Sequence, residues 1–427
     1  MNTKYIHIGK STILWEKTSF SRAFKFLKNN SLSRAELSDD NGNVKNIHYG
    51  DILIKFSECL YADEGNNIPY IINDNIAYKL LKLSPLINGD IVFADAAEDN
   101  TVGKCIEIIT HNDTDLVAGL HTIPCRPTIK FAEGYLGYYL NSTAFHNQLL
   151  QYIQGTKISS ISKKSICQTI ISYPSEIINQ QKIASYFQSL DSLIQSTSKK
   201  LVSLKQVKAA SLQSMFPQEG ETVPKVRFKG FEGEWEKEKL CNIASRITRK
   251  NKNLESFTPL TISAIDGLVS QLTYFNNIVA SSNISGYYLI KNGEFAYNKS
   301  YSNGFPYGSI KRLDKFDMGV LSTLYIVFAL NKQNTSILSD YLVIFFNTTL
   351  WHHEIAKRAE EGARNHGLLN ISAEDFLDIN IIYPKDLLEQ QKIASYFRNL
   401  DKQISLQTQR LEKLKQIKAA CLDKMFV

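Results

Sequence analysis

The chain has 427 residues, 43% hydrophobic and 21% charged, with a formal net charge of +7. At roughly 150 residues per domain this length holds two or three domains, each with its own core, and the composition excludes a disordered chain. The longest apolar run, GVLSTLYIVFAL at 319–330, falls short of the ~20 residues a membrane span requires, so no membrane association is expected.

The N-terminal stretch MNTKYIHIGKSTILWEK has no uninterrupted apolar core and no small-residue cleavage site, so no signal peptide is read there. GKST (9–12) matches the end of a phosphate-binding loop, but Lys4 stands where that signature needs glycine, so no nucleotide site follows. Short runs GDILIKF (50–56), GDIVFA (89–94) and CIEII (105–109) read as strands, and GYYLNSTAFHNQLLQYI (137–153) as a helix. After Pro174 an uninterrupted helical pattern runs over 178–216. PQEGETVPKVRFKGFEGE (217–234) is a linker by composition, and its Val226, Phe228 and Phe231 predict that it packs along a surface. Strands are expected again at 287–290, 294–298 and 322–330, a helix at 338–359, and a second long helix after Pro384. HHE (352–354) with His366 lacks the HExxH spacing, so no zinc site is read. Cys59, Cys105, Cys125, Cys167, Cys241 and Cys421 form no CxxC pair, which fits a reducing cytoplasm.

The octapeptide QQKIASYF stands at 180–187 and again at 390–397. The repeat extends without a gap from 173–216 to 383–426, with 23 identities in 44 positions. Ile183, Phe187, Leu190, Ile194, Leu201 and Leu204 step by fours and threes, as do Ile393, Phe397, Leu400, Ile404, Leu411 and Leu414; Thr197 and Gln407 fill one beat of each seam. That alternation is a coiled-coil seam, and ~39 residues of helix span about 58 Å. The economical burial of the two seams is against each other, antiparallel about a pseudo-two-fold axis. Asp386 and Glu389 have capping-box spacing at the second start. Residues 178–216 carry a net charge of +4 and 386–427 one of +3, so these two segments hold the whole basic excess. Weaker echoes join the preceding regions: WEK at 15 and 235, and Asn141, Thr143 and His146 against Asn347, Thr349 and His352.

The expected fold class is therefore α/β (α+β). Two globular regions are separated by a long antiparallel two-helix coiled coil, with a pseudo-two-fold internal repeat. No GxSxG, no amino-methyltransferase tetrapeptide and no acidic cluster appears, so a non-catalytic binding scaffold without cofactors is expected.

Two variable regions, each followed by a copy of this repeat, resemble the specificity subunit of a Type I restriction–modification enzyme. PKVRFKGFEGEWE (224–236), YNKSYSNGFPYGSIKR (297–312), GVLSTLYIVF (319–328) and GARNHGLLNIS (362–372) strengthen the likeness. The resemblance implies target-recognition domains at 1–172 and 235–382, spacer helices at 173–216 and 383–427, and a linker at 217–234. It implies a bipartite, asymmetric site on double-stranded DNA. Two methyltransferase subunits and restriction/translocase subunits are the implied partners, in the cytoplasm. The expected DNA-binding residues are Lys299, Tyr301, Asn303, Tyr307, Lys311, Arg312, Arg364, Asn365 and His366 in the second domain. In the first they are Lys104, Arg126, Thr156, Lys157, Lys163 and Lys164. The rival readings are a coiled-coil adaptor with two protein-binding domains and a fused modification enzyme.

Overall fold

A computed structural model describes residues 4–8, 11–63, 67–99, 101–112, 114–155, 158–263, 266–277, 279–281, 283–301, 304–359 and 369–426, with side chains from residue 13 onward. Residues 1–199 with 409–427 form one unit and 200–408 a second. Each long helix thus contributes one end to each unit.

In the first unit a five-stranded sheet has the order Phe24–Phe26, Thr122–Pro127, Ile91–Ala94, Cys105–Ile109, Cys59–Tyr61. In the second, a four-stranded sheet runs Ala244–Arg246, Ile326–Leu330, Phe295–Asn298, Ser309–Arg312. The first four strands correspond one to one in order, and their pairings are antiparallel in both units. The repeat of the globular regions, faint in sequence, is therefore present in the strand order.

Both units close in the same way. The strand that opens the region pairs with the strand leading into the long helix: Ser11–Ser19 with Ile170–Pro174, and Glu236–Lys239 with Asn380–Tyr383. The register sets Tyr173 opposite Glu16 and Tyr383 opposite Glu236, and each tyrosine hydroxyl donates to that carboxylate at 3.2 Å. This accounts for the repeated Trp-Glu-Lys and Tyr-Pro, as Trp15 and Trp235 are buried in the two cores beside these strands.

Three local expectations are corrected. Residues 50–56 are not a strand: Tyr49–Ile54 is a short helix, started by His48, whose Nδ1 accepts the Gly50 N–H at 3.2 Å. It buries Asp51 and Ile52 and leaves Ile54 exposed, a helical periodicity hidden in an apolar run. The helix read at 137–153 is two, Tyr135–Leu140 and Thr143–Leu150. Asn141 breaks it: its amide bonds both the N–H and the carbonyl of Cys105, tying the chain to the sheet. The helix read at 338–359 likewise divides into Ser339–Phe345 and Leu350–Arg358, with the corresponding Asn347 between them.

Glu107 lies fully buried in the first sheet and accepts the N–H groups of Gly134 and Gly137, both at 2.7 Å. Burial pushes its carboxyl up to about 7, against the pull of those N–H groups. A folded value above the ordinary 4.5 means that the folded chain holds this proton longer than the unfolded one. Stability of the unit is then expected to fall as pH rises from about 4.5 to about 7, by the order of 3 kcal/mol. Glu107→Gln should remove that decline, whatever its offset in absolute stability. Thermal unfolding of both proteins across this pH range checks it.

The long helices are Ile177–Ser214 and Leu387–Lys424, 38 residues each. Five of the eight positions in QQKIASYF have the same task in both copies. Gln180 and Gln390 are buried: Gln180 binds the Ala132 N–H and the Pro174 carbonyl, Gln390 the Leu338 N–H and the Pro384 carbonyl. Ile183, Ala184 and Phe187 pack into the first core, and Ile393, Ala394 and Phe397 into the second. Tyr186 meets Cys421 at 3.6 Å and Tyr396 meets Ser211 at 3.0 Å, which are equivalent partners in the repeat. Phe426 stacks on Phe187 in the first unit, while Phe216 packs near Phe397 in the second. Going from 186 to 191 the partners go from 421 to 418, so the helices run antiparallel within the first unit; 396 to 401 against 211 to 208 shows the same in the second.

Leu190 and Leu400 also enter the two cores, and Leu201, Leu411 and Thr197 are buried further along; Ile194, Leu204, Ile404, Leu414 and Gln407 are half-buried. The capping-box expectation is only half met. Asp386 does accept the Leu388 N–H at 2.7 Å. Glu389 is instead buried in a two-point ion pair with Arg227 of the linker, both contacts at 2.7 Å. With Phe228 against Tyr396 and Lys392 over Phe231, this packs the linker onto the start of the second long helix.

Candidate nucleic-acid interface

The residues singled out for DNA contact separate by what already holds them. In the first unit the Lys104 ammonium donates to the carbonyls of Leu53 and Phe56, both at 3.1 Å, and burial lowers its pKa. It lines a groove of about 1010 Å3 together with Glu58, Asp191, Lys199, Lys415 and Lys418. Arg126 is held by Asp90 through two contacts of 2.7 Å and by the Pro85 carbonyl at 2.9 Å. Lys163 and Lys164 begin the short helix Lys163–Cys167 and are exposed; Lys163 reaches the Leu27 carbonyl at 3.3 Å and the face of Phe26. Thr156 and Lys157 lie outside the described residues.

In the second unit Lys299, Tyr301 and Tyr307 share the loop between Phe295–Asn298 and Ser309–Arg312. The loop closes at Gly308, φ +77, where a β-carbon would come within 2.0 Å of the Asn298 carbonyl oxygen, so only glycine fits. Lys299 donates to the Ile371 carbonyl at 3.2 Å, and the Tyr307 ring lies 5.1 Å from that of His352. Tyr301 is exposed. Lys311 donates to Asn347 at 3.1 Å, and burial, with Lys208 nearby, brings its ammonium down to about 8. Arg312 is taken by Asp314, Asp340 and the Ser339 hydroxyl. Asn303, Arg364, Asn365 and His366 lie outside the described residues.

Lys299, Tyr301 and Tyr307 are therefore brought together, whereas Lys311 and Arg312, on the strand that follows, are engaged inside the unit. The corresponding loop of the first unit, between Ile91–Ala94 and Cys105–Ile109, carries Asp95, Glu98 and Asp99. The two loops thus present opposite charge. Sequence reasoning missed Glu58, Asp191 and Lys418 as a group. Lys418 pairs with Glu58 at 2.5 Å and Asp191 at 2.6 Å, and Tyr138 donates to Asp191 at 2.8 Å. Burial works against the Lys418 charge, but the two carboxylates outweigh it and hold its pKa above the usual lysine value. It also missed His121, whose backbone conformation has no sequence signature. Among the described residues no His/Cys/Asp/Glu group could hold a metal, and no helix is long and apolar enough to cross a membrane.

Two α/β modules, each clamped to the start of one long helix and the tail of the other, define a duplicated scaffold. The profile of the Type I restriction modification DNA specificity domain matches residues 41–206 and again 275–416, and the chain belongs to that family. It is a specificity subunit, a non-catalytic chain that confers DNA sequence specificity. No curated protein sequence matches it. Among solved structures, the Type I restriction–modification S subunit from M. genitalium is 14% identical, with a TM-score of 0.58 over 99% of this chain and 98% of that one. A chain from a study of complex assembly and conformational transition of the type I R-M system is 14% identical, with a TM-score of 0.51 over 96% and 97%. The HsdS subunit from Thermoanaerobacter tengcongensis is 15% identical, with a TM-score of 0.47 over 96% of each chain. These likenesses concern the fold.

Proposed function

We propose that this subunit recognises a bipartite, asymmetric site on double-stranded DNA. Residues 1–172 read one half and 235–382 the other, while 173–216 and 383–427 set the unread gap. The observation that carries this is the repetition of the module-to-helix junction, with Gln180, Tyr186 and Asp191 making the contacts that Gln390, Tyr396 and Asp401 make 210 residues later. Lys163, Lys164 and Tyr301 are the outward-facing candidates for the DNA surface, with Lys299 and Tyr307 supporting the Tyr301 loop. Thr156, Lys157, Asn303, Arg364, Asn365 and His366 remain candidates on chemistry alone. Lys104, Arg126, Lys311 and Arg312 position loops through their internal bonds.

The same two helices dock two adenine-methyltransferase subunits, which restriction/translocase subunits join. The apolar seam is consumed inside the chain, so docking falls to residues outside it. Lys205, Val207, Ala209 and Ala210 are exposed, and so are Lys415, Ile417, Ala419 and Ala420 at the equivalent positions. One set of exposed positions in two copies supports two copies of one partner. The six free cysteines fit a reducing cytoplasm.

Exchanging residues 235–378 for those of a relative is expected to change one half of the methylated site, read by mapping modified adenines. A change in both halves would refute the division of labour. Affinity for random duplex should fall linearly with salt on logarithmic axes, because phosphate contacts release counterions; an affinity indifferent to salt would remove DNA from the account.

A further inference from the structure

The chain passes from Leu116–Ala118 in one sheet to Thr122–Pro127 in the other through Gly119, Leu120 and His121. His121 has φ +53, a region that strains any residue with a β-carbon and that glycine enters freely. Stability alone would place glycine here. The residue instead forms one wall of a cleft of about 460 Å3 that also holds Asn29, Asn30, Ser31 and Asp95. The back of the cleft is fixed. Asn30 donates to Asn46 at 2.7 Å and to the Ala118 carbonyl at 2.9 Å. Gly119 presses on Asn46, since a β-carbon there would lie 2.4 Å from its Nδ2. That Nδ2 is buried without an acceptor behind the cleft, so Asn46 is held by packing and by its bond to Asn30. At the front, Asp95 meets His121 Nδ1 at 3.1 Å, Tyr49 lies edge-on to the imidazole at 5.2 Å, and Asn29 and Ser31 are exposed.

We propose that this cleft reads a base edge in the half-site of the first unit, with His121 and Asn29 as the reading side chains. The inference rests on the DNA-specificity reading above. A carboxylate accepts, so the bond to Asp95 places a proton on His121 Nδ1, and the neutral tautomer that this selects leaves Nε2 as an acceptor. That suits the exocyclic amino group of adenine or cytosine. Asn29 spends one amide N–H on the Gly119 carbonyl at 3.4 Å and keeps its oxygen and second N–H, the acceptor–donor pair that matches adenine in the major groove.

The test uses the full-length chain in its modification complex, selecting from a randomised duplex library at fixed salt. His121→Gly relieves the backbone and removes the ring, so the fold is retained. It is expected to lose roughly tenfold to hundredfold discrimination at one or two adjacent positions of one half-site, with the other half untouched. Asn29→Ala should do the same at the same or a neighbouring position. If both variants select the parent's sequence, the inference is overturned. A uniform loss of affinity with unchanged preference also overturns it, being the signature of a phosphate contact. If the parent itself selects no sequence, the reading beneath it fails instead.

Discussion

Phe426→Ala is expected to destabilise the first unit by about 3–5 kcal/mol, the cost of emptying a buried phenylalanine site. The Phe426 ring is buried, stacked on Phe187 at 5.7 Å and set against the edges of Tyr135 at 6.0 Å and Tyr139 at 5.7 Å. Those neighbours belong to a close-packed core that cannot collapse into the gap. Phe216→Ala should act in the same way on the second unit, where Phe216 packs with Trp235, Tyr341 and Phe397. Hydrogen exchange on the full chain separates the two effects. Strand Cys105–Ile109 should lose protection in the first variant and strand Ile326–Leu330 in the second. Equal loss in both strands from either variant would contradict the assignment of each helix tail to one core.

Lys418→Ala and Lys208→Ala alter equivalent positions, yet their effects should differ several-fold. The Lys418 and Glu58 side chains are each 15% exposed and Asp191 is 24% exposed. Removing the ammonium leaves two sheltered carboxylates facing each other, at a cost of about 3–5 kcal/mol. Lys208 meets a single partner, Asp401, which is 45% exposed, so water replaces much of that contact and the loss should stay under about 1 kcal/mol. Because Lys418 is held above the usual lysine value, its stabilisation is complete below that value and is lost only as pH rises through the folded one. Denaturant titration of both variants at neutral pH gives the comparison. Similar losses would mean that burial is not what sets these energies.

Much of this architecture is legible in the residues, and the reason is local. The long helices announce themselves because an apolar period sustained over ten turns has no other solution, and Pro174 and Pro384 mark where they begin. Strands such as Ile91–Ala94 and Cys105–Ile109 are bounded by their own Gly, Asp and Lys. What fails depends on distant partners. Residues 50–56 read as a strand because the cap that makes them helical is a histidine, an uncommon N-cap. Asn141 breaks its helix through Cys105, 36 residues away in sequence. Glu389 has the spacing of a capping box but meets Arg227 from the linker. The candidate site suffers most. Arg126 and Arg312 have the chemistry of base readers, and only the fold reveals that Asp90, Asp314 and Asp340 engage them. His121 is chosen by a dihedral angle, which no composition or period encodes.

The division of the chain into 1–199 with 409–427, and 200–408, bears on how it is made. Multidomain chains generally fold from the N-terminus as they leave the ribosome. Here the order is reversed. The second unit has all its residues once position 408 has emerged, whereas the first lacks the segment that seals its core until Phe426 has emerged too. The first module to be translated is the last to be completed. During that interval Phe187, Tyr135 and Tyr139 wait without their final neighbour, and a nascent chain stalled between positions 408 and 426 would display them to chaperones and proteases.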